Sequence, residues 1–296
     1  MKSLSFQSRP QLSRHAGRAF TLVELLFSIL IIGVLAGILI VGLRSATAGA
    51  RSAADTQTAS ALKLGIENFS QQFGIAPPLV KDKGAGTSTN PITTTGAILY
   101  YDPQNASDAT FLRNNPAAAS DLRYSVYSLA YYLVGSLDQA SDGWDGPGMR
   151  SVSRDGAFKL SDRAKFEPFI DAGKGSFRVY FSGTAVSKDG RVEIRDRNET
   201  PIRYYRWLDG VAYPDSPGSF LVRKPEDLNV PSMVGDPKTD PTLRDSTWAV
   251  VMAGANKLFG DEPIAEIRQS LAANPGDSDE KVRAEAKKDN IVEVGR

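Results

Sequence analysis

The chain has 296 residues, enough for one large or two small domains with a buried core, and its 41% hydrophobic and 23% charged content is that of a folding protein, not a disordered one. Lys plus Arg (35) against Asp plus Glu (34) exclude nucleic-acid binding driven by an overall basic excess. With no cysteine and one histidine, His15, disulfide frameworks, thiolate nucleophiles, His-based triads and His metal clusters are excluded from everything downstream of that residue.

The first nineteen residues carry Lys2, Arg9, Arg14 and Arg18 and no acid, so losing them takes the formal charge from +1 to −3. Phe20 to Leu43 then runs apolar with a single charge, Glu24. As a helix this stretch measures ~36 Å, enough to cross a hydrocarbon core of roughly 30 Å. The basic residues ahead of it outnumber those just after it, Arg44 and Arg51, which predicts a cytoplasmic N-terminus and an exported remainder. A secretory signal peptide has a shorter apolar core and a cleavage site on its far side. A plain signal anchor fits the length but gives no reason for Glu24, since a carboxylate at the bilayer centre costs about 2.5–3.5 kcal/mol.

The run Arg18-Ala19-Phe20-Thr21-Leu22-Val23-Glu24-Leu25-Leu26 resembles the processing signal of type IV prepilins and type II secretion pseudopilins: a basic leader, a small residue, Phe, then Glu five residues into the mature chain. The resemblance implies cleavage between Ala19 and Phe20 by a prepilin peptidase, N-methylation of Phe20, and retention of the apolar helix. Family leaders usually end in Gly. Gly17 lies two residues earlier, but cutting after it would make Glu24 seventh, so Ala19 is the expected site. Thr21 and Glu24 are the expected assembly residues, Glu24 pairing with the Phe20 amine of a neighbouring subunit because a carboxylate among apolar helices needs a cation.

Ala54, Thr58, Leu62, Ile66, Phe69 and Phe73 recur at spacings of three or four, with Asp55, Gln57, Lys63, Glu67 and Gln71 between them, predicting that the helix continues amphipathically over 44–73. Gly74 and Pro77-Pro78 end it. Residues 81–120 read as a loop-dominated insertion with a short apolar piece at Ala97–Tyr101. Asp121–Val134 is expected as a helix capped at Ser120 or Asp121, with Leu122, Val126, Leu129 and Leu133 inward. Ser176–Phe181, Arg191–Arg195, Ile202–Trp207 and Thr247–Met252 read as strands whose short connections favour antiparallel pairing, and Phe220–Val222 as an edge strand. The exported domain spans 74–271, and 272–296 is expected as a charged tail, with Asn274–Arg296 read as a frayed helix or tail.

A long helix followed by a small antiparallel sheet is an α+β arrangement similar to the pilin fold. Phe73-Gly-Ile-Ala-Pro-Pro78, Pro201-Ile-Arg-Tyr-Tyr205 and Trp248-Ala-Val-Val-Met-Ala-Gly254 resemble major pseudopilins. That likeness implies a calcium-binding loop at Gly254–Glu262, with Asn256, Asp261 and Glu262 as ligands, although Lys257 intrudes and Asn256 stands where the family has Asp. No phosphate loop or dinucleotide turn is present, and Asp142, Asp145, Asp155 and Asp171 read as loop carboxylates.

The resemblance therefore implies a structural subunit of a type II secretion pseudopilus, without catalytic activity or a required cofactor. It is anchored in a bacterial inner membrane and then built into an envelope filament. Its expected partners are a prepilin peptidase, other pseudopilins, a platform protein, an assembly ATPase and membrane lipid, with no nucleic acid. The alternatives are a pilin or minor pilin of a type IV pilus, and a membrane-anchored binding or enzymatic domain.

Overall fold

The computed structural model describes residues 21–82, 97–113, 121–137, 139–171, 178–181, 192–208 and 228–296. The leader, the cleavage pair Ala19 and Phe20, most of the 81–120 insertion and the Phe220–Val222 strand lie outside the described residues. Contacts divide the chain into two units, the first ending at Ala50 and the second running Arg51–Arg296.

Helix α1 runs Leu22–Phe73 as 52 continuous residues. It stops where the reading of Gly74 and the prolines put it: Gly74 takes φ +74°, a left-handed conformation that costs glycine nothing, and its N–H bonds back to the Ser70 carbonyl at 2.8 Å. Thr58, Leu62, Ile66 and Phe69 are buried, with Ala54 and Phe73 half-buried beside them. One expectation fails here. Asp55, assigned to the solvent side, is only 5% exposed, because it falls one position from the Ala54–Thr58 stripe on a helix whose buried arc is wider than one residue.

Strands β1 (Leu79–Val80) and β2 (Tyr100–Tyr101) pair antiparallel and lead into α2 (Ala106–Arg113). The predicted helix over Asp121–Val134 is corrected. Asp121–Arg123 is extended, β3 takes Tyr124–Ser125, and only Ser128–Val134 is helical, its last turn Ala130–Val134 a π-helix. The physical reason is a buried ion pair: the Arg123 guanidinium forks onto the Asp121 carboxylate and donates to the carbonyls of Leu112 (3.3 Å) and Asn229 (2.8 Å). A short helix α3 follows at Gln139–Asp142.

The four expected strands form, and β4 (Arg178–Phe181) pairs antiparallel with β5 (Val192–Arg195), but the pairing expected across the short Asp196–Thr200 connection is reduced to an isolated Arg195–Pro201 bridge, and β6 (Arg203–Arg206) pairs antiparallel with the distant β7 (Trp248–Met252). Helices α4 (Ile264–Ser270) and α5 (Asp279–Lys287) precede β8 (Ile291–Gly295). The main sheet has the order β3-β6-β7-β8, antiparallel throughout. The expected tail at 272–296 is thereby corrected: Ser278 caps α5 through a bond from the Lys281 N–H, and the last residues pair with β7 along its whole length. The helix and the general α+β character stand as expected, in keeping with a pilin-like fold.

The sheet has two buried faces. Tyr204, Trp248, Val250 and Met252 join Leu62, Ile66 and Phe69 of α1 in one core, while Tyr205, Ala249 and Val251 meet Trp207, Met233, Val234, Leu243 and Phe259 in the other. Strict alternation along β6 and β7 produces both. The chain beyond α1 is tied to this sheet by the Tyr204 hydroxyl, which donates to the Pro77 carbonyl at 2.9 Å, and by Arg206, which donates to the carbonyls of Ala76 and Pro77.

Candidate functional site

Thr21 precedes the first helical turn, and Glu24 stands at its third position. The two residues cap each other. The Glu24 N–H donates to Thr21 Oγ1 at 3.2 Å, and Glu24 Oε2 accepts from the Thr21 N–H at 3.3 Å and from its hydroxyl at 3.2 Å. This reciprocal arrangement satisfies helix-end donors, and the carboxylate complements the positive end of the helix dipole. Both residues were expected as assembly contacts only; their Thr-x-x-Glu spacing is the signal that would have found the cap. All three bonds use Oε2 or the Thr21 hydroxyl, which leaves Oε1 outside the cap.

Beyond this cap, fifteen described large apolar side chains from Leu22 to Leu43 stand exposed. At about 1.5–3 kcal/mol for each such side chain taken out of water, an aqueous environment for this surface is untenable. Leu22–Ile40, 19 residues with none buried, is long and apolar enough to cross a membrane. Gly33 and Gly37 have nothing within 4 Å of where a Cβ would sit, so this face is open to a close-packing neighbour.

Residues 14–40 match the family model for the prokaryotic N-terminal methylation motif. The chain carries a pilin-type N-terminus. No curated protein and no solved structure matches it. The motif implies processing by a prepilin peptidase and assembly into pilin-like filaments, and with the apolar helix it fits membrane anchoring. Of the expected processing and assembly residues, Thr21 and Glu24 are brought together at the start of α1, while Ala19 and Phe20, inside the matched motif, fall outside the described residues.

The expected calcium ligands lie around one loop but face their own partners. Asn256 Oδ1 accepts from the Leu258 N–H at 2.7 Å, and the Glu262 oxygens accept from the N–H groups of Phe259 and Gly260 at 2.8 Å each. Asp261 Oδ2 is bound by Arg203 Nη1 at 2.6 Å. Arg283 Nη1 donates to the carbonyls of Gly260 and Glu262, oxygens of the kind calcium takes from a loop backbone. These residues therefore do not fit the six to eight oxygens of a calcium cage. Among the described residues no group of three His, Cys, Asp or Glu is placed to hold a metal.

The loop carboxylates have structural partners as well. Asp142 is buried and accepts from the N–H groups of Ser136 (2.6 Å) and Trp144 (2.8 Å), closing a turn. Asp155 is held below the usual carboxylate range chiefly by the Ser153 hydroxyl. Asp145 and Asp171 are exposed.

Two acids missed as buried groups are Asp55 and Asp196, 5% and 1% exposed. Burial pushes both carboxyls up, against the pull of Arg197 on Asp55 and of backbone N–H bonds and Lys257 on Asp196. Asp196 Oδ1 accepts from the Thr200 N–H at 2.8 Å, so it closes the turn between β5 and β6.

Proposed function

We propose that the chain is a pseudopilin, a structural subunit of a type II secretion pseudopilus-like filament, cut between Ala19 and Phe20 and N-methylated on Phe20. The observation that carries this reading is the combination, on one helix end, of the methylation motif, the Thr21–Glu24 cap and an apolar surface whose large side chains stand exposed among the described residues. In lipid that surface is solvated by acyl chains; in a filament it is solvated by the same helix of neighbouring copies. Glu24 then pairs with the amine of a neighbouring Phe20 and sets the axial register. The chain itself catalyses nothing and requires no cofactor. A platform protein and an assembly ATPase extract it from the inner membrane, with its domain on the exported side.

The preference for secretion over a type IV pilus is supported by the three segments that resemble major pseudopilins, of which Pro201–Tyr205 and Trp248–Gly254 supply the neighbouring strands β6 and β7. Co-expression with the platform protein and ATPase of a secretion system is expected to yield filaments containing the chain. Filaments formed only with pilus machinery would instead assign it as a pilin or minor pilin.

A further inference from the structure

We propose that Arg203 is the cation that organises the Gly254–Glu262 loop, an internal guanidinium serving where major pseudopilins use a metal ion. The guanidinium is stacked 3.7 Å from the centre of the Phe259 ring and 4.4 Å from that of Tyr124. Its Nη1 donates to Asp261 Oδ2 at 2.6 Å and to the Tyr205 hydroxyl at 3.3 Å. The Arg203 and Asp261 side chains are 12% and 10% exposed, so the pair sits out of bulk water, where an unpaired charge on either would be heavily penalised.

The arrangement joins two parts of the fold. Phe259 and Asp261 belong to the loop, whereas Tyr124, Arg203 and Tyr205 belong to β3 and β6. A planar, delocalised cation is suited to this seat because it can lie over both rings and still present N–H groups to a carboxylate; a lysine ammonium offers a compact point charge in place of that plane. Glu262 and Asn256 spend their oxygens on loop N–H groups, and Arg283 occupies two loop carbonyls. Among the described residues, Asp261 Oδ1, Asp289 Oδ1 and Asn290 Oδ1 are the buried side-chain oxygens near this loop without a protein partner, too few for the six to eight oxygens calcium takes. The loop's chemistry does not depend on how the N-terminus is processed.

The test is thermal unfolding and amide hydrogen exchange of the full chain in detergent micelles, with EDTA and with millimolar calcium chloride. The wild-type chain is expected to melt at the same temperature in both, with equal exchange at 254–262. Arg203→Gln is expected to lower the midpoint by about 4–8 °C and to speed exchange of those amides, with no recovery in calcium. Arg203→Lys falls between. Should Arg203→Gln fail to fold, Phe259→Leu, which removes one stacking face, is expected to speed loop exchange several-fold. A calcium-dependent rise of several degrees in the wild-type midpoint, or unchanged loop exchange in both Arg203→Gln and Phe259→Leu, would overturn the assignment.

Discussion

Glu24 has two tasks that separate by substitution. Glutamine keeps a carbonyl oxygen for the Thr21 cap but cannot pair with an amine, whereas alanine removes both functions. Both Glu24→Gln and Glu24→Ala are expected to be cut and methylated yet to enter filaments poorly, read by immunoblot of sheared filaments; normal incorporation of Glu24→Gln would remove the charge from the account. Thr21→Ala is the complement, expected to lose roughly 0.5–2 kcal/mol of helix-end stability while keeping the charge. Asp55 gives a prediction of opposite sign to the usual carboxylate. Because burial raises its folded pKa above the ordinary 3.8, the folded state holds the proton more tightly, so its contribution falls as pH rises from that value through the raised one. Asp55→Asn is expected to stabilise the domain at neutral pH and to flatten this part of its pH profile in denaturant titrations. Arg123→Ala strands Asp121 in the core and is expected to cost about 3–5 kcal/mol by the same assay.

At the scale of elements, what was legible and what was not divides along physical lines. The end of α1 was readable because Gly74 and the prolines act through local backbone geometry. So were β4 to β7, whose β-branched and aromatic residues lie between turn signals. The stretch 121–134 misled because Leu122, Val126, Leu129 and Leu133 suit a helix by spacing alone; what breaks it is the Asp121–Arg123 pair reaching the distant Asn229 carbonyl, which no local rule contains. Strand β8 was hidden by charge in its neighbourhood. Glu293 reads as surface, yet it bonds Lys63 and Ser60 of α1 while Val292 and Val294 pack on the opposite face. Because β8 covers the β7 edge, ending the chain at Asn290 is expected to expose five ladder positions and give an aggregating or protease-sensitive product, not a trimmed tail. At Gly295 a Cβ would sit 2.2 Å from the Trp248 ring, so Gly295→Val should do comparable damage.

For the whole molecule, the two units answer to different solvents. The domain from Arg51 onward buries its apolar residues on both faces of its sheet, while the helix before it leaves its own uncovered. The methylation motif and the apolar helix were legible in the sequence, since both are encoded within consecutive residues, whereas the Thr21–Glu24 cap was not among the expectations. The Gly254–Glu262 loop was the least legible, since the partner of Asp261 there is Arg203, from a strand more than fifty positions earlier in the chain. The central claim, that this helix is exposed by a prepilin peptidase and kept, is tested most directly by mass spectrometry of the N-terminus after co-expression with that peptidase. The account predicts a chain beginning at N-methylated Phe20 with Glu24 fifth; a product still beginning at Met1, or one that has lost the apolar helix altogether, would contradict it.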